Sequence, residues 1–130
     1  MSEFAHYIGL PWEAGAQGPD SYDCMGFFRM VQRAHFGVQV PIIIAPDYED
    51  GAALAGLFVR HEERSRWLPV DAPAHGDAVL IKKPMHIGTW IDVDGGGVLH
   101  CVRGAGVVFT LDAAWRLSGF GRRAFFRSAP

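Results

Sequence analysis

Cysteine is scarce in this chain: its 130 residues include only two, too few for a disulfide scaffold or a four-cysteine zinc site. Long apolar runs are absent as well, because the longest, at 41–46 and 52–59, fall far short of the roughly 18 residues of a membrane-spanning helix. No basic cluster stands out, and 12 Lys and Arg against 14 Asp and Glu leave a formal charge of −2. The sequence therefore argues against a membrane protein and against a nucleic-acid partner.

A secretory signal is also missing, since the opening Met-Ser-Glu-Phe-Ala-His has neither a basic patch nor an apolar run. We therefore expect synthesis in the cytoplasm, with any export depending on another carrier. What the chain does have is 49% hydrophobic and 20% charged residues, without an internal repeat or low-complexity tract. This composition predicts one domain over residues 1–130 with a substantial core.

Helical periodicity marks the first half of the chain. Apolar residues repeat at helical spacing from residue 23 to about 36, with Asp23 as a candidate N-cap and Gly37 as a stop signal. Cys24 then lies in the first turn of this helix, on its buried face. The same spacing predicts a second helix over about residues 49–65.

Short segments rich in β-branched and aromatic residues, each bounded by Gly, Pro or Asp, dominate the second half. The predicted strands are 76–82, 86–93, 98–103, 107–111 and 122–127, with a helical turn at about 113–117. Helices followed by hairpin-linked strands predict an α+β fold. We expect N-terminal helices packed on an antiparallel sheet of about five strands.

Cys24 is the first candidate for chemistry. At a helix N-terminus, unpaired N–H groups and the helix dipole favour the thiolate and lower a cysteine's pKa. The same N–H groups can hold the oxyanion of a tetrahedral intermediate. The alternative is that Cys24 is only a small buried apolar residue, which on position alone is the more common situation for a free cysteine.

Two histidines strengthen the catalytic interpretation. His86 opens one predicted strand and His100 lies in the next, 14 residues later. Because side chains alternate along a strand, an odd number of loop residues places both imidazoles on one face, whereas a two-residue turn places them on opposite faces. The glycine-rich segment 92–97 favours the odd loop, with three residues and a bulge.

On one face, the two imidazoles could complete a triad with Cys24. His86 is the better general base because Gly88 leaves room beside it, and His100 would orient His86 through its second ring nitrogen. A competing interpretation is a zinc site made of the two cysteines and two histidines. It requires adjacent strand residues, His100 and Cys101, to point the same way, so we expect no metal and a chemically inert Cys101.

Five short segments stand out together: GLPWEAG at 9–15, YDCMGF at 22–27, GDAV at 76–79, HIGTW at 86–90 and VLHC at 98–101. In sequence and spacing they resemble the NlpC/P60 cysteine peptidases, papain-like enzymes that cut bacterial cell-wall peptides. The resemblance covers residues 7–103. It implies that Cys24 is the nucleophile, His86 the base and His100 the orienting residue, in agreement with the argument above. It also implies an oxyanion and substrate pocket near Trp12, Tyr22 and Asp23, and no cofactor.

The implied substrate is a murein stem peptide, cut between D-glutamate and a diamino acid. The opening GLPW and the missing signal look most like the phage and prophage tail branch, which would place the protein in a virion tail acting at the cell wall, beside other tail proteins. Three positions depart from the family pattern: Trp12 replaces a frequent tyrosine, Met25 a serine and Ala16 a glycine. These departures favour an alternative, a tail-assembly module with little or no catalytic activity.

Overall fold

The computed structural model describes residues 3–41, 66–82 and 85–129. Two 3₁₀ helices, η1 and η2, span Ala5–Tyr7 and Asp112–Leu117, and helix α1 spans Cys24–Phe36. The strands are β1 (Trp67–Val70), β2 (Ala78–Lys82), β3 (Met85–Ile91), β4 (Gly97–Val102), β5 (Gly106–Leu111) and β6 (Arg123–Ser128). The second predicted helix, at 49–65, lies outside the described residues. Within the described ranges, no helix is both long and apolar enough to cross a bilayer.

All six strands form one antiparallel sheet in the order β1-β6-β2-β3-β4-β5. The α+β prediction is therefore confirmed, but the sheet has six strands rather than about five. The missed strand, β1, is four residues long and contains Pro69, whose missing N–H normally argues against a strand. Its place at the edge of the sheet makes the proline tolerable, because an edge strand leaves one row of N–H groups unpaired.

Helix α1 begins and ends where its capping residues predict. The Asp23 side chain accepts a hydrogen bond from the Gly26 N–H at 2.6 Å, satisfying a donor in the first turn. Gly37 ends the helix in the left-handed conformation, with φ of 68°. Cys24 therefore occupies the first helical position, as expected.

The sheet buries a different set of residues on each face. On the side that we call the helix face, α1 packs against β2, β3 and β4 through two apolar clusters, which include Met25, Phe28, Ala78, Leu80 and Ile87, and Phe27, Val31, Ile91, Leu99 and Cys101. On the other side, which we call the histidine face, η2 contributes Trp115 to a third cluster with Val79, Ile81, Trp90 and Val98.

The β3–β4 hairpin sets which face each histidine occupies. Gly88 pairs with His100 and Ile91 pairs with Gly97, so five residues, 92–96, form the loop. The predicted odd loop length is confirmed, although the loop has five residues rather than three. Its left-handed stretch, with φ of 53° at Asp94, 87° at Gly95 and 96° at Gly96, suits the glycines that the sequence places there.

Candidate active site

His86 and His100 lie side by side on the histidine face. The Nε2 atom of His86 and the Nδ1 atom of His100 are 2.7 Å apart, a strong hydrogen bond. The two rings are almost parallel, with a 6° angle and 5.0 Å between centroids. Together with the short nitrogen–nitrogen distance, this geometry describes rings joined edge to edge rather than face to face. The predicted pairing of the two imidazoles is observed.

Thr110 on β5 extends this pair into a chain of three side chains. Its Oγ1 lies 3.0 Å from Nε2 of His100. If His86 donates from Nε2, then Nδ1 of His100 accepts and Nε2 of His100 donates to the threonine hydroxyl. The opposite direction also satisfies every group, but only the first arrangement leaves the lone pair on Nδ1 of His86 for accepting a proton.

The chain of polar groups is enclosed by aromatic side chains. The Phe120 ring lies 5.5 Å from the ring of His86 and 4.9 Å from that of His100. Trp115 lies beyond His100, with 6.2 Å between ring centroids. Burial lowers the pKa of His100 well below its usual value, and the neighbouring His86 lowers it further. His100 is therefore a neutral hydrogen-bonding partner and not a second cation.

Cys24 lies on the helix face of the sheet, next to the start of β3. Its side chain packs in the same apolar cluster as Ile87, and the backbone N–H of Ile87 interacts with the sulfur. Because side chains alternate along β3, Ile87 and His86 point to opposite faces of the sheet. The sulfur therefore contacts the backbone at the start of β3 from the helix face, whereas the imidazole of His86 projects from the histidine face.

The prediction that the helix N-terminus makes Cys24 acidic is wrong for the resting protein. Burial, with a smaller contribution from the carboxylate of Asp23, raises the pKa of this thiol to about 12. Hydrogen bonds from the backbone N–H groups of Ile87, Met25 and Cys24 itself lower the pKa, but by less. The effect of desolvation outweighs that of the N–H groups because Cys24 is only 2% exposed. The thiol is therefore protonated at neutral pH.

The three residues assigned to the substrate pocket have different surroundings. Trp12 is half-buried, forms an isolated bridge with Tyr22, and has the Arg103 guanidinium 5.4 Å from its ring. Tyr22 is buried, with its ring 5.4 Å from that of Phe27. Asp23 caps α1, and burial raises its pKa. Tyr22 and Asp23 therefore build the start of the helix, and only Trp12 offers a partly exposed side chain.

Cys101 lies on the helix face and not with the histidines. Its thiol donates a hydrogen bond to the carbonyl of Tyr22 at 3.3 Å, and burial raises its pKa to about 12. His100, the preceding residue of β4, points to the other face. A four-residue zinc site with both cysteines and both histidines is incompatible with this alternation, and no metal-binding cluster occurs in the part of the chain that the structure describes.

Two comparisons of the chain with known proteins find no relative. A scan against protein-family models finds no matching family, and a search of curated proteins finds no significant match. The class that the described residues define is thus an α+β domain with a buried histidine pair on one face of the sheet and, on the other face, a helix whose first residue is a cysteine. The likeness to the NlpC/P60 peptidases remains a resemblance of short motifs.

Thr110 is the site residue that sequence reasoning missed. Nothing marks it locally, because threonine is common in strands. Its position follows from the β4–β5 register, in which His100 pairs with Val108 and Val98 pairs with Thr110. A threonine two residues beyond the partner of a histidine, on the same face, is the signal that could have identified it.

Proposed function

We propose that the protein is a thiol hydrolase of the NlpC/P60 type, with Cys24 as nucleophile, His86 as base and His100 as orienting residue. The observation that carries the proposal is the 2.7 Å bond between Nε2 of His86 and Nδ1 of His100, continued to Thr110. When His86 donates from Nε2 along this chain, Nδ1 of His86 is left free to accept the thiol proton.

The raised pKa of the thiol shapes the mechanism. A protonated Cys24 cannot attack directly, so His86 removes its proton as the sulfur bonds to the scissile carbonyl carbon. The backbone N–H of Cys24 stabilises the resulting oxyanion. His86 then protonates the leaving amine as the C–N bond breaks, and water hydrolyses the thioester to a carboxylate and the free thiol.

The substrate and setting come from the motif resemblance. We infer a murein stem peptide, cut between D-glutamate and a diamino acid, and a place among phage or prophage tail proteins that brings the domain to the cell wall. Cys24, His86 and His100 are all buried. A peptide therefore reaches them only when covering side chains, including the Phe120 ring, are displaced.

The decisive variant is Cys24→Ala, with Cys101→Ala as its matched control. Both residues are buried thiols with pKa near 12, but only Cys24 lies at the helix terminus beside the His86–Ile87 peptide. We expect Cys24→Ala to reduce release of stem-peptide fragments from purified murein by at least about 10³-fold, since it removes the nucleophile. Cys101→Ala should retain most activity. Equal activity of wild type and Cys24→Ala would contradict the proposal.

One observation favours a second candidate, a tail-assembly module that keeps the shape of the triad without cutting peptides. The deep burial of Cys24 and its raised pKa are what a structural cysteine shows. This candidate predicts that wild-type protein of native secondary structure releases no murein fragments and that Cys24→Ala leaves its binding to other tail proteins unchanged.

A further inference from the structure

A basic cleft lies between η2 and the start of β6, outside the proposed triad. Its volume is about 440 Å³, within the range of clefts that hold small-molecule ligands. Its lining consists of Asp112, Trp115, Arg116, Gly121, Arg122, Arg123 and Phe125. Three guanidinium groups and one carboxylate thus line the cleft, in a chain whose formal charge is −2.

Arg123 is held rigidly at this cleft. Its guanidinium carbon lies 4.4 Å from the ring centroid of Trp115 and 5.5 Å from that of Phe125. One terminal nitrogen forms an ion pair with Asp112 at 2.8 Å. The other, Nη1, is buried without a hydrogen-bond partner among the described residues. A buried, unpaired donor of this kind is costly, and the contacts with Trp115, Phe125 and Asp112 hold the side chain in place against that cost.

The other two arginines add charge that Asp112 does not balance. Arg116 and Arg122 are exposed, and neither forms an ion pair within residues 3–41, 66–82 and 85–129. Guanidinium groups match carboxylate and phosphate oxygens in a planar, two-bond geometry. The buried indole of Trp115 and the half-buried ring of Phe125 supply apolar walls.

We propose that this cleft binds a small oxyanion ligand, in which a carboxylate or a phosphate is attached to an apolar group. The arginines would bind the oxyanion, and the aromatic side chains would contact the apolar part. The proposal does not depend on the thiol chemistry, because none of the lining residues belongs to the triad.

The test uses three ligands that share an aromatic ring: N-acetylphenylalanine, its uncharged amide, and phenyl phosphate. Binding to the full chain is followed by isothermal titration calorimetry and by the Trp115 indole NMR signal, assigned with Trp115→Phe. We expect at least one anion to bind and to shift this signal, and the amide to bind at least about tenfold more weakly. The anion that binds more tightly shows whether the cleft prefers a carboxylate or a phosphate.

The variant arm compares two double substitutions that remove the same charge. Arg116→Gln with Arg122→Gln should weaken anion binding by about tenfold or more, because two charge-assisted bonds are lost. Arg33→Gln with Arg103→Gln removes exposed arginines elsewhere and should leave binding within about twofold. Failure of both anions to bind, equal binding of the amide, or equal weakening by the control pair would overturn the proposal.

Discussion

The two faces of the sheet bury different kinds of side chain, although the same strands contribute to both faces. On the helix face, β3 and β4 present Ile87, Leu99 and Cys101 to α1, in apolar clusters that also contain Cys24. On the histidine face, the alternate residues His86 and His100 form a polar chain with Thr110. Adjacent residues of one strand thus belong to a packed apolar core on one face and to a hydrogen-bonded polar chain on the other.

Burial shifts the pKa values of the two residues in opposite directions, upward for Cys24 and downward for His100. The thiol is in an apolar environment that raises its pKa to about 12, so it retains its proton. His100 is in a buried but hydrogen-bonded environment that lowers its pKa, so it resists a second proton. Both effects favour the uncharged forms of Cys24 and His100, as burial without ion pairs requires.

The largest expected effect comes from tightening the histidine face at Gly88. A Cβ atom there would lie 2.7 Å from Cγ1 of Val98 and 2.9 Å from Cβ of His100. We expect Gly88→Ala to lower the free energy of unfolding by about 2–3 kcal/mol through overpacking, measured by urea denaturation. Adding Val98→Ala removes the closest contact and should recover part of the loss. A stable Gly88→Ala protein would show that this face is loosely packed.

The next effect is a pH dependence of stability that belongs to the histidine face. Because the pKa of His100 is lowered in the folded state, the unfolded chain binds more protons once the pH falls below about 6.5. Stability should therefore be full above this pH and decline by up to about 1.4 kcal/mol per pH unit below it. Urea denaturation at pH 7.5 and 5.5 checks this, with His100→Gln as the variant in which the slope becomes smaller. An unchanged slope in His100→Gln would assign the pH dependence to other groups.

The smallest expected effect tests whether Thr110 positions His100. Thr110→Val keeps the shape but removes the hydroxyl that lies 3.0 Å from Nε2 of His100. We expect a loss of about 1 kcal/mol in stability and, for the proposed hydrolase, about a tenfold lower kcat with little change in KM. Thr110→Ser restores the hydroxyl and should recover the activity. Equal rates for the valine and serine variants would leave Thr110 with a packing role only.

Local sequence signals were sufficient to predict the elements whose ends are marked by particular residues. Asp23 and Gly37 delimit α1 because a carboxylate cap and a left-handed glycine act through bonds within a few residues. The glycine-rich loop likewise allowed the odd β3–β4 spacing, and with it the shared face of His86 and His100, to be predicted. Strand β1 was missed because its pairing with β6 joins residues distant in sequence, and Pro69 hides it locally.

The features that could not be predicted depend on tertiary burial. A helix N-terminus lowers a thiol pKa only where solvent or polar groups leave that effect dominant, and nothing near Cys24 in sequence reveals its 2% exposure. Thr110 joins the histidines through the β4–β5 register. Arg123 meets Asp112 only after η2 folds against β6.

Because both cysteine side chains are buried, the reactivity of their thiols can be used to measure how the core opens. Cys24 and Cys101 are 2% and 0% exposed, so a chromogenic disulfide reagent should develop colour only as fast as the core opens. Cys24 begins α1 and Cys101 lies in the inner strand β4. Variants that keep only one of the two cysteines would therefore measure separately, under native conditions, how fast the helix terminus and strand β4 become exposed.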